Sequence, residues 1–206
     1  MFASTRENRL TNGEQNVIID AGSDEMITTQ PREMALGLRK PSSRLLTADE
    51  ITSLEADIAA IGADKKIFIF NDEYAFGTSY YPNTDRISIK GNILPDLDSG
   101  STHPRDLMSA RAVLAHEYYG HRPFRRFYLA EDTLAGQMPE SQSIAREWVD
   151  EFRASYTAAK VAPGLSAEDR YYLILDALER AREAGVTITH NDFIRGILYE
   201  HTDGPT

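Results

Sequence analysis

Two histidines five residues apart, with a glutamate directly after the first, constrain this chain more than any other feature. They lie in the run His116-Glu117-Tyr118-Tyr119-Gly120-His121, at the end of a largely apolar segment that is predicted to be helical. On a regular α-helix, four steps leave two side chains about 40° apart, and five steps leave them about 140° apart. An undistorted helix therefore could not direct both imidazoles at one point. The spacing predicts a π-type bulge, with Gly120 as the residue that absorbs its strain.

Two imidazoles and a free carboxylate are the groups that a zinc hydrolase needs. His116 and His121 would hold Zn²⁺, while Glu117 would stay unligated and take a proton from the water that the metal activates. The common zinc-peptidase motif H-E-x-x-H places its histidines four residues apart, on one helix face. Short motifs also arise by chance, so the alternative on this motif alone is a pair of ordinary histidines with hydrogen-bond partners.

The run from residue 116 to 121 resembles the H-E-x-x-G-H signature of the dipeptidyl peptidase III family of zinc peptidases. That family takes its third ligand from a downstream E-E-x-R-A-[DE] motif. Here Asp150-Glu151-Phe152-Arg153-Ala154-Ser155 matches at the second acid, the arginine and the alanine, and departs at Asp150 and Ser155. The resemblance implies a gluzincin site with three metal ligands, His116, His121 and Glu151. It covers these two motifs only, and 206 residues are too few for the family's two-lobed architecture, so dipeptide release is not implied.

The segment that leads into the motif, residues 103–115, is similar to the zincin-like metallopeptidase domains at the C-termini of bacterial polymorphic toxins. This second resemblance implies a toxin or effector module of a larger secreted system. Such a module would act on a peptide or protein substrate. It would also have a cognate inhibitor or immunity protein as a partner.

Helical phase gives an independent reason to choose Glu151. A helix is predicted from residue 141 or 143 to about residue 160, with an apolar stripe formed by Ile144, Trp148, Phe152 and Tyr156. Seven steps from Ile144 bring Glu151 back to within roughly 20° of that stripe. A carboxylate there is costly unless it is paired or metal-bound. The neighbouring Asp150 is predicted either to accept a hydrogen bond from a ligand histidine or to be solvated.

Four further side chains are candidates to stabilise a tetrahedral oxyanion: Tyr118, Tyr119, His190 and His201. For each of them the alternative is core packing or a surface position. His190, between an extended segment and a helix cap, is predicted as the second catalytic residue beside Glu117. If the zinc site were instead closed and structural, His190 would be the expected fourth ligand, because the chain has no cysteine.

Composition limits the class of partner. Acidic residues outnumber basic ones 32 to 22, giving a formal charge of −10, which argues against nucleic acid or an anionic membrane as a partner. No apolar run approaches the length of a membrane span, and the first 20 residues lack the apolar core of a signal peptide. We therefore expect a soluble protein, cytoplasmic or exported as part of a larger system.

The pattern of apolar residues predicts an α+β fold. Residues 1–46 are predicted to be an irregular or partly disordered lead-in with one edge strand at residues 17–19, and residues 47–206 to be a single zincin-like domain. A short mixed or antiparallel sheet should precede the active-site helix, and a helical C-terminal half should follow it. The expected strands are 66–70, 76–81 and 86–90, with residues 92–95 at the substrate-side edge; the active-site helix begins near Pro104.

Together these observations predict a zinc-dependent metallopeptidase of the gluzincin type with one Zn²⁺ per chain. The alternative is a non-catalytic, zinc-stabilised module that binds a peptide or protein at a sheet edge. The two differ in the metal's coordination, since a catalytic site has three protein ligands and a structural site has four.

Overall fold

The structure is a computed structural model that describes residues 39–132 and 140–202. Its helices are α1 (Ala48–Ala60), α2 (Pro104–Leu107), α3 (Ala110–Ala115), α4 (Arg125–Asp132), α5 (Glu140–Val161), α6 (Ala167–Glu183) and α7 (Asp192–Thr202). Its strands are β1 (Phe68–Phe70), β2 (Ser79–Tyr81) and β3 (Arg86–Ile89). A π-helix spans His116–His121, and 3₁₀ turns occur at Lys65–Ile67, Gly91–Ile93, Leu97–Ser99 and Arg122–Phe124. The fold is α+β, as predicted.

The last residues of the predicted lead-in belong to the folded domain. Residues 1–38, with the proposed strand at 17–19, lie outside the described residues. Lys40 forms an ion pair of 2.7 Å with Asp96, and the amide of Leu46 donates to the Asn71 side chain at 2.8 Å. The buried Leu46 side chain also joins the hydrophobic core. Part of the domain therefore precedes the boundary predicted at residue 47.

The sheet is small and mixed, with β3 in the middle. Strand β3 pairs in parallel with β1, where Phe68 is opposite Ile87, and antiparallel with β2, where Tyr80 is opposite Ile87. Ile87 and Ile89 are fully buried. Strand β2 lies at the edge of the sheet, next to the π-helix. The predicted substrate-side edge at residues 92–95 is wrong, because its first two residues complete a 3₁₀ turn and Pro95 bridges to Arg39.

The polar side of β3 is buried as well. Ser88 and Lys90, which alternate with Ile87 and Ile89, are both buried. The loop after β1 covers them: Ser88 Oγ donates to Asp72 Oδ2 at 2.6 Å, and Lys90 Nζ donates to the Asp72 carbonyl at 2.7 Å. Polar residues can alternate in a strand and still be buried when a neighbouring loop supplies their hydrogen bonds.

The predicted active-site helix is broken in two. Helix α2 ends at Met108, whose ψ of 135° is extended, and Ser109 caps the start of α3 by accepting from the Ala112 amide. Ser109 Oγ also donates to Asp169 Oδ1 at 2.5 Å, which fixes the break against α6. The chain stays helical beyond the π-helix. Pro123 lies in the first turn of a 3₁₀ segment, where its missing donor costs nothing, and the chain continues into α4.

Helix α5 positions the downstream motif. It packs most extensively against α6 and the π-helix. Its Phe152 is buried, stacks on Tyr156 with ring centroids 6.0 Å apart, and meets Trp148 edge-on, as the predicted apolar stripe requires. Glu151 shares this inward side. No helix in the described part of the chain has the length and apolar character needed to cross a membrane.

Candidate metal centre

The two motif histidines meet because the helix widens between them. Residues His116–His121 form a π-helix, which confirms the prediction from their five-residue spacing. The Nε2 atoms of His116 and His121 lie 3.0 Å apart, and their rings meet edge to face with centroids 4.7 Å apart. The widened turn thus directs both imidazoles at one point, which regular α-helical steps would not.

Glu151 reaches the same point from helix α5. Its Oε2 lies 3.4 Å from His116 Nε2, and its Oε1 lies 3.4 Å from His121 Nε2. These three side chains form a largely buried group that could hold a metal ion. Burial raises the pKa of the Glu151 carboxyl, but hydrogen bonds and charge from the two histidines outweigh it and hold that pKa well below its ordinary value.

Gly120 is required by close packing between the π-helix and α5. A Cβ at this position would lie 2.5 Å from the carbonyl oxygen of Ala154 and 2.7 Å from its Cα. The φ of Gly120 lies outside the left-handed region that favours glycine, so the reason for glycine that the structure gives is this close packing. Because Gly120 and Ala154 are both small, the two segments approach closely enough for Glu151, three residues before Ala154, to meet the histidines.

A chain of hydrogen bonds fixes the tautomer of His116. Ser155 Oγ donates its single proton to Asp176 Oδ2 at 2.6 Å, so it accepts from His116 Nδ1 at 2.8 Å. The proton on Nδ1 leaves Nε2 as a free acceptor at the convergence point. Ser155 occupies the position where the resembled motif has an acid, and here the acid, Asp176, comes from α6 instead.

Arg180 joins that chain back to the third candidate ligand. Its Nε lies 3.3 Å from Asp176 Oδ1, and its Nη2 lies 3.2 Å from Glu151 Oε2. Burial lowers the pKa of Arg180, but the adjacent Asp176 and Glu151 carboxylates raise it above its ordinary value overall. Neither Asp176 nor Arg180 is predicted from the sequence. A signal exists, because both share the apolar face of α6 with Leu173 and Ala177.

Tyr128 of α4 supports His121. Its hydroxyl lies 2.9 Å from His121 Nδ1 and receives a hydrogen bond from Arg153 Nη2 at 3.4 Å. The Arg153 guanidinium stacks over the Phe124 ring at 4.0 Å and pairs with Asp150. Asp150, predicted to contact a histidine or to be solvated, instead forms an ion pair with Arg153, the arginine that donates to Tyr128.

Glu117 lies beside the group without joining it. The side chain is buried, and its Oε2 accepts a hydrogen bond of 2.8 Å from the backbone amide of Tyr80 in edge strand β2. Burial raises the pKa of Glu117 to about 7. The glutamate next to the first histidine is thus held by one oxygen and faces the same cavity as the other three side chains.

The cavity above these residues has a volume of about 400 Å³. It extends from His116, His121 and Glu151 along the edge strand and the end of α2. Its outer wall includes polar and cationic side chains: Arg39, Thr78, Asn92, Arg105 and Arg180. The sequence motifs do not predict these arginines as part of the site.

Tyr118 and Tyr119 do not line this cavity. The Tyr118 hydroxyl accepts from the Asp64 amide at 3.3 Å, and its ring stacks on Phe68 with centroids 5.9 Å apart. Tyr119 donates to the Ile61 carbonyl at 2.7 Å. Both tyrosines anchor the π-helix to the segment after α1, which corresponds to the packing alternative stated for them.

His190 is not brought to the cavity either. It is buried directly before α7, its Nδ1 has no hydrogen-bond partner, and burial lowers its pKa. The next residue, Asn191, donates to the hydroxyl of Tyr156 at 2.9 Å, which places this turn more than a helical turn along α5 from Glu151. The metal-binding group of the described residues thus contains three side chains, without His190 as a fourth. The side chain of His201 lies outside the described part of the structure.

The basic residues after the motif hold the sheet in place. Arg122 forms an ion pair of 2.9 Å with Asp85, and Arg125 donates to the Pro82 carbonyl at 2.7 Å. Both contacts fix the turn between β2 and β3. Strand β2 is therefore held at two points. Glu117 of the π-helix contacts it at Tyr80, and the segment after the π-helix contacts the turn that follows it.

A second cluster of possible ligands, His103, Glu179 and Glu183, is less suited to a metal. Arg105 Nη2 lies 3.0 Å from His103 Nε2, and Arg182 pairs with Glu179. Guanidinium groups thus occupy the positions from which a cation would be bound. His103 Nδ1 also accepts from the Arg105 amide and so caps α2.

Comparisons of the chain with models of known families, with curated proteins and with solved structures find no match. The resemblances drawn from the two motifs thus stay predictions. What can be concluded about function rests on the geometry of the site.

Proposed function

We propose that this chain is a zinc-dependent peptidase of the gluzincin type, in which Glu117 is the general base. The observation that carries the proposal is the convergence of three acceptor atoms, from His116, His121 and Glu151, on one point of a buried cavity wall. Membership of a larger secreted system and an inhibitor as partner remain predictions from resemblance.

The spacing of the three atoms supports zinc as the ion. Zinc binds imidazole nitrogen and carboxylate oxygen at about 2.0–2.2 Å in tetrahedral sites, so two such ligand atoms lie roughly 3.3 Å apart. The separations here are 3.0 Å between the two histidines and 3.4 Å from each to Glu151. Three protein ligands and one open position are the arrangement of catalytic zinc sites, whereas structural sites use four.

The division of roles among the residues follows from their contacts. Zn²⁺ would supply a Lewis acid that polarises a peptide carbonyl and lowers the pKa of a water molecule. Glu117 has one oxygen held by the Tyr80 amide, so its other oxygen is the one that can take the proton of the attacking water and deliver it to the leaving amine. Ser155 and Tyr128 orient the two imidazoles, and Arg180 holds the Glu151 carboxylate.

The edge strand supports a peptide as the substrate class. The amide of Tyr80 points away from β3, towards Glu117. In an antiparallel pair, a residue whose amide points outward also has its carbonyl outward. The Tyr80 carbonyl is therefore directed to the free edge of β2, where an extended peptide could add to the sheet beside Glu117.

The test uses purified protein and a peptide library made by digesting a proteome, read by mass spectrometry. The wild type should contain about one zinc per chain and cleave peptides. Glu117→Gln should keep the zinc and the fold, but its rate should fall by roughly two to four orders of magnitude, because an amide cannot accept the proton. A Glu117→Gln variant as active as the wild type would remove Glu117 from the mechanism, and a zinc-loaded wild type that cleaves no peptide would refute the proposal.

A further inference from the structure

The lining of the cavity beside the metal centre contains more arginines than carboxylates, although the chain as a whole is acidic. The chain carries a formal charge of −10, with 32 acidic and 22 basic residues. Three arginines nevertheless line the cavity, Arg39, Arg105 and Arg180, against two glutamates, Glu117 and Glu151. A divalent metal at the histidines would make the local potential more positive. Low-dielectric walls focus such a potential on whatever enters.

Two of these arginines have their hydrogen bonds committed to the protein. Arg39 donates through Nε to the Asn92 carbonyl, through Nη1 to the carbonyls of Arg105 and Met108, and through Nη2 to the carbonyl of Ile93. Burial lowers the pKa of Arg39 to about 10, so it remains charged at neutral pH. Arg180 is bonded to Asp176 and Glu151. Carboxylates thus compensate both charges, Asp106 and Asp176 near Arg39, and Asp176 and Glu151 at Arg180. Arg39 also fixes the backbone of α2 at the cavity wall.

Arg105 differs from the other two. Its side chain is about one-third exposed. Its Nη2 forms an ion pair of 3.9 Å with Glu183 and lies 3.0 Å from His103 Nε2. Nε and Nη1 have no hydrogen bond within the described residues. A guanidinium of this kind, on a fixed backbone at a cavity wall, presents the fork that matches a carboxylate.

We propose that Arg105 binds a carboxylate of the substrate, so that the site prefers peptides with an acidic group close to the bond that is cleaved. The carboxylate can come from an Asp or Glu side chain or from the C-terminus of the peptide. This inference rests on the proposed function, because the metal centre defines which part of the cavity the peptide backbone occupies.

The test measures binding, so that it does not depend on hydrolysis. Zinc-loaded protein is titrated with short peptide hydroxamates, which bind the metal and differ only in Glu against Gln, or in a C-terminal acid against an amide. A charge-assisted hydrogen bond contributes about 1.5–3 kcal/mol. The wild type should therefore bind one acid form roughly 10- to 100-fold more tightly than its neutral match. The pair that shows the preference identifies the source of the carboxylate.

Three variants locate the effect. Arg105→Gln should lose most of the preference, and Arg105→Lys should keep part of it because the charge remains. Arg126→Gln removes the same charge from an exposed position on α4 outside the cavity wall, and should keep the wild-type preference. Equal binding of acid and neutral forms by the wild type, or an unchanged preference in Arg105→Gln, would overturn the inference. Discrimination between hydroxamates that is lost in Arg105→Gln, without cleavage of any peptide, would uphold carboxylate binding by Arg105 and refute the peptidase proposal.

Discussion

Replacing Gly120 with alanine should weaken metal binding although it removes no ligand. The new Cβ would lie 2.5 Å from the Ala154 carbonyl oxygen, whereas ordinary contact begins at 3.4 Å. Both neighbours are backbone, so the π-helix and α5 must separate by about 0.9 Å to relieve the clash. Glu151 is carried by the same stretch of α5, and its carboxylate would move away from the two histidines.

The size of this movement sets the expected effect. Metal–ligand distances in proteins are held within about 0.2 Å, so a shift several times larger cannot be absorbed by the site without cost. We expect zinc affinity to fall at least tenfold, or about 1.4 kcal/mol. Overpacking should also lower the free energy of unfolding by roughly 1–3 kcal/mol. Competition with a chromophoric chelator measures the affinity, well below the unfolding temperature, and thermal unfolding of the metal-free protein measures the stability.

Gly164→Ala is the matched control. A Cβ there would lie 2.1 Å from the Ala60 carbonyl oxygen, which is a steric clash. Gly164 also has a φ of +67°, in the left-handed region that alanine rarely adopts. Its clash is with the end of α1 rather than with the metal centre. Gly164→Ala should therefore lose stability and keep its zinc affinity. Wild-type affinity in Gly120→Ala, or an equal loss in both variants, would refute the reasoning.

The other predictions concern the ligands and their supports. The double variant His116→Ala, His121→Ala should lose its zinc on mild dialysis, and full zinc retention would exclude the site. Ser155→Ala removes the acceptor that orients the first histidine, so zinc affinity should fall roughly 10- to 100-fold in the chelator competition; no change would show that the hydrogen bond is dispensable. Tyr119→Phe loses the bond to the Ile61 carbonyl and should cost about 1 kcal/mol of stability in denaturant unfolding, with zinc affinity unchanged.

The helix ends were predictable because their signals are local. Capping boxes start α1 at Thr47 and α6 at Ser166, and each involves residues only three positions apart. The π-helix is predictable for a related reason. Five regular α-helical steps would direct the side chains of His116 and His121 about 140° apart, so two histidines that share one site require a widened turn. Glu151 followed from helical phase, which depends on one helix alone.

The remaining parts of the site depend on contacts between distant segments. The partners of His116 are Ser155 and Asp176, 39 residues away and then 21 further along the chain. Sequence position alone does not say which buried polar groups of three helices will meet. The break at Met108 had the same origin, because it is fixed by Ser109 bonding to Asp169, 60 residues away. The prediction that places His190 at the site fails because a turn next to a helix cap does not indicate where that turn packs.

The hydrogen-bonded ring that runs from His116 through Ser155, Asp176 and Arg180 to Glu151 has a consequence for tracing ancestry. In the resembled motif an acid follows the alanine, and here a serine stands there while the carboxylate comes from α6. A pattern that demands the acid would pass over chains built this way. A better signature is H-E-x(2)-G-H, then E-x(2)-A-S, then D-x(3)-R one helix later. Relatives of this chain should keep or lose the serine and the α6 aspartate together, because the two act in series on the histidine.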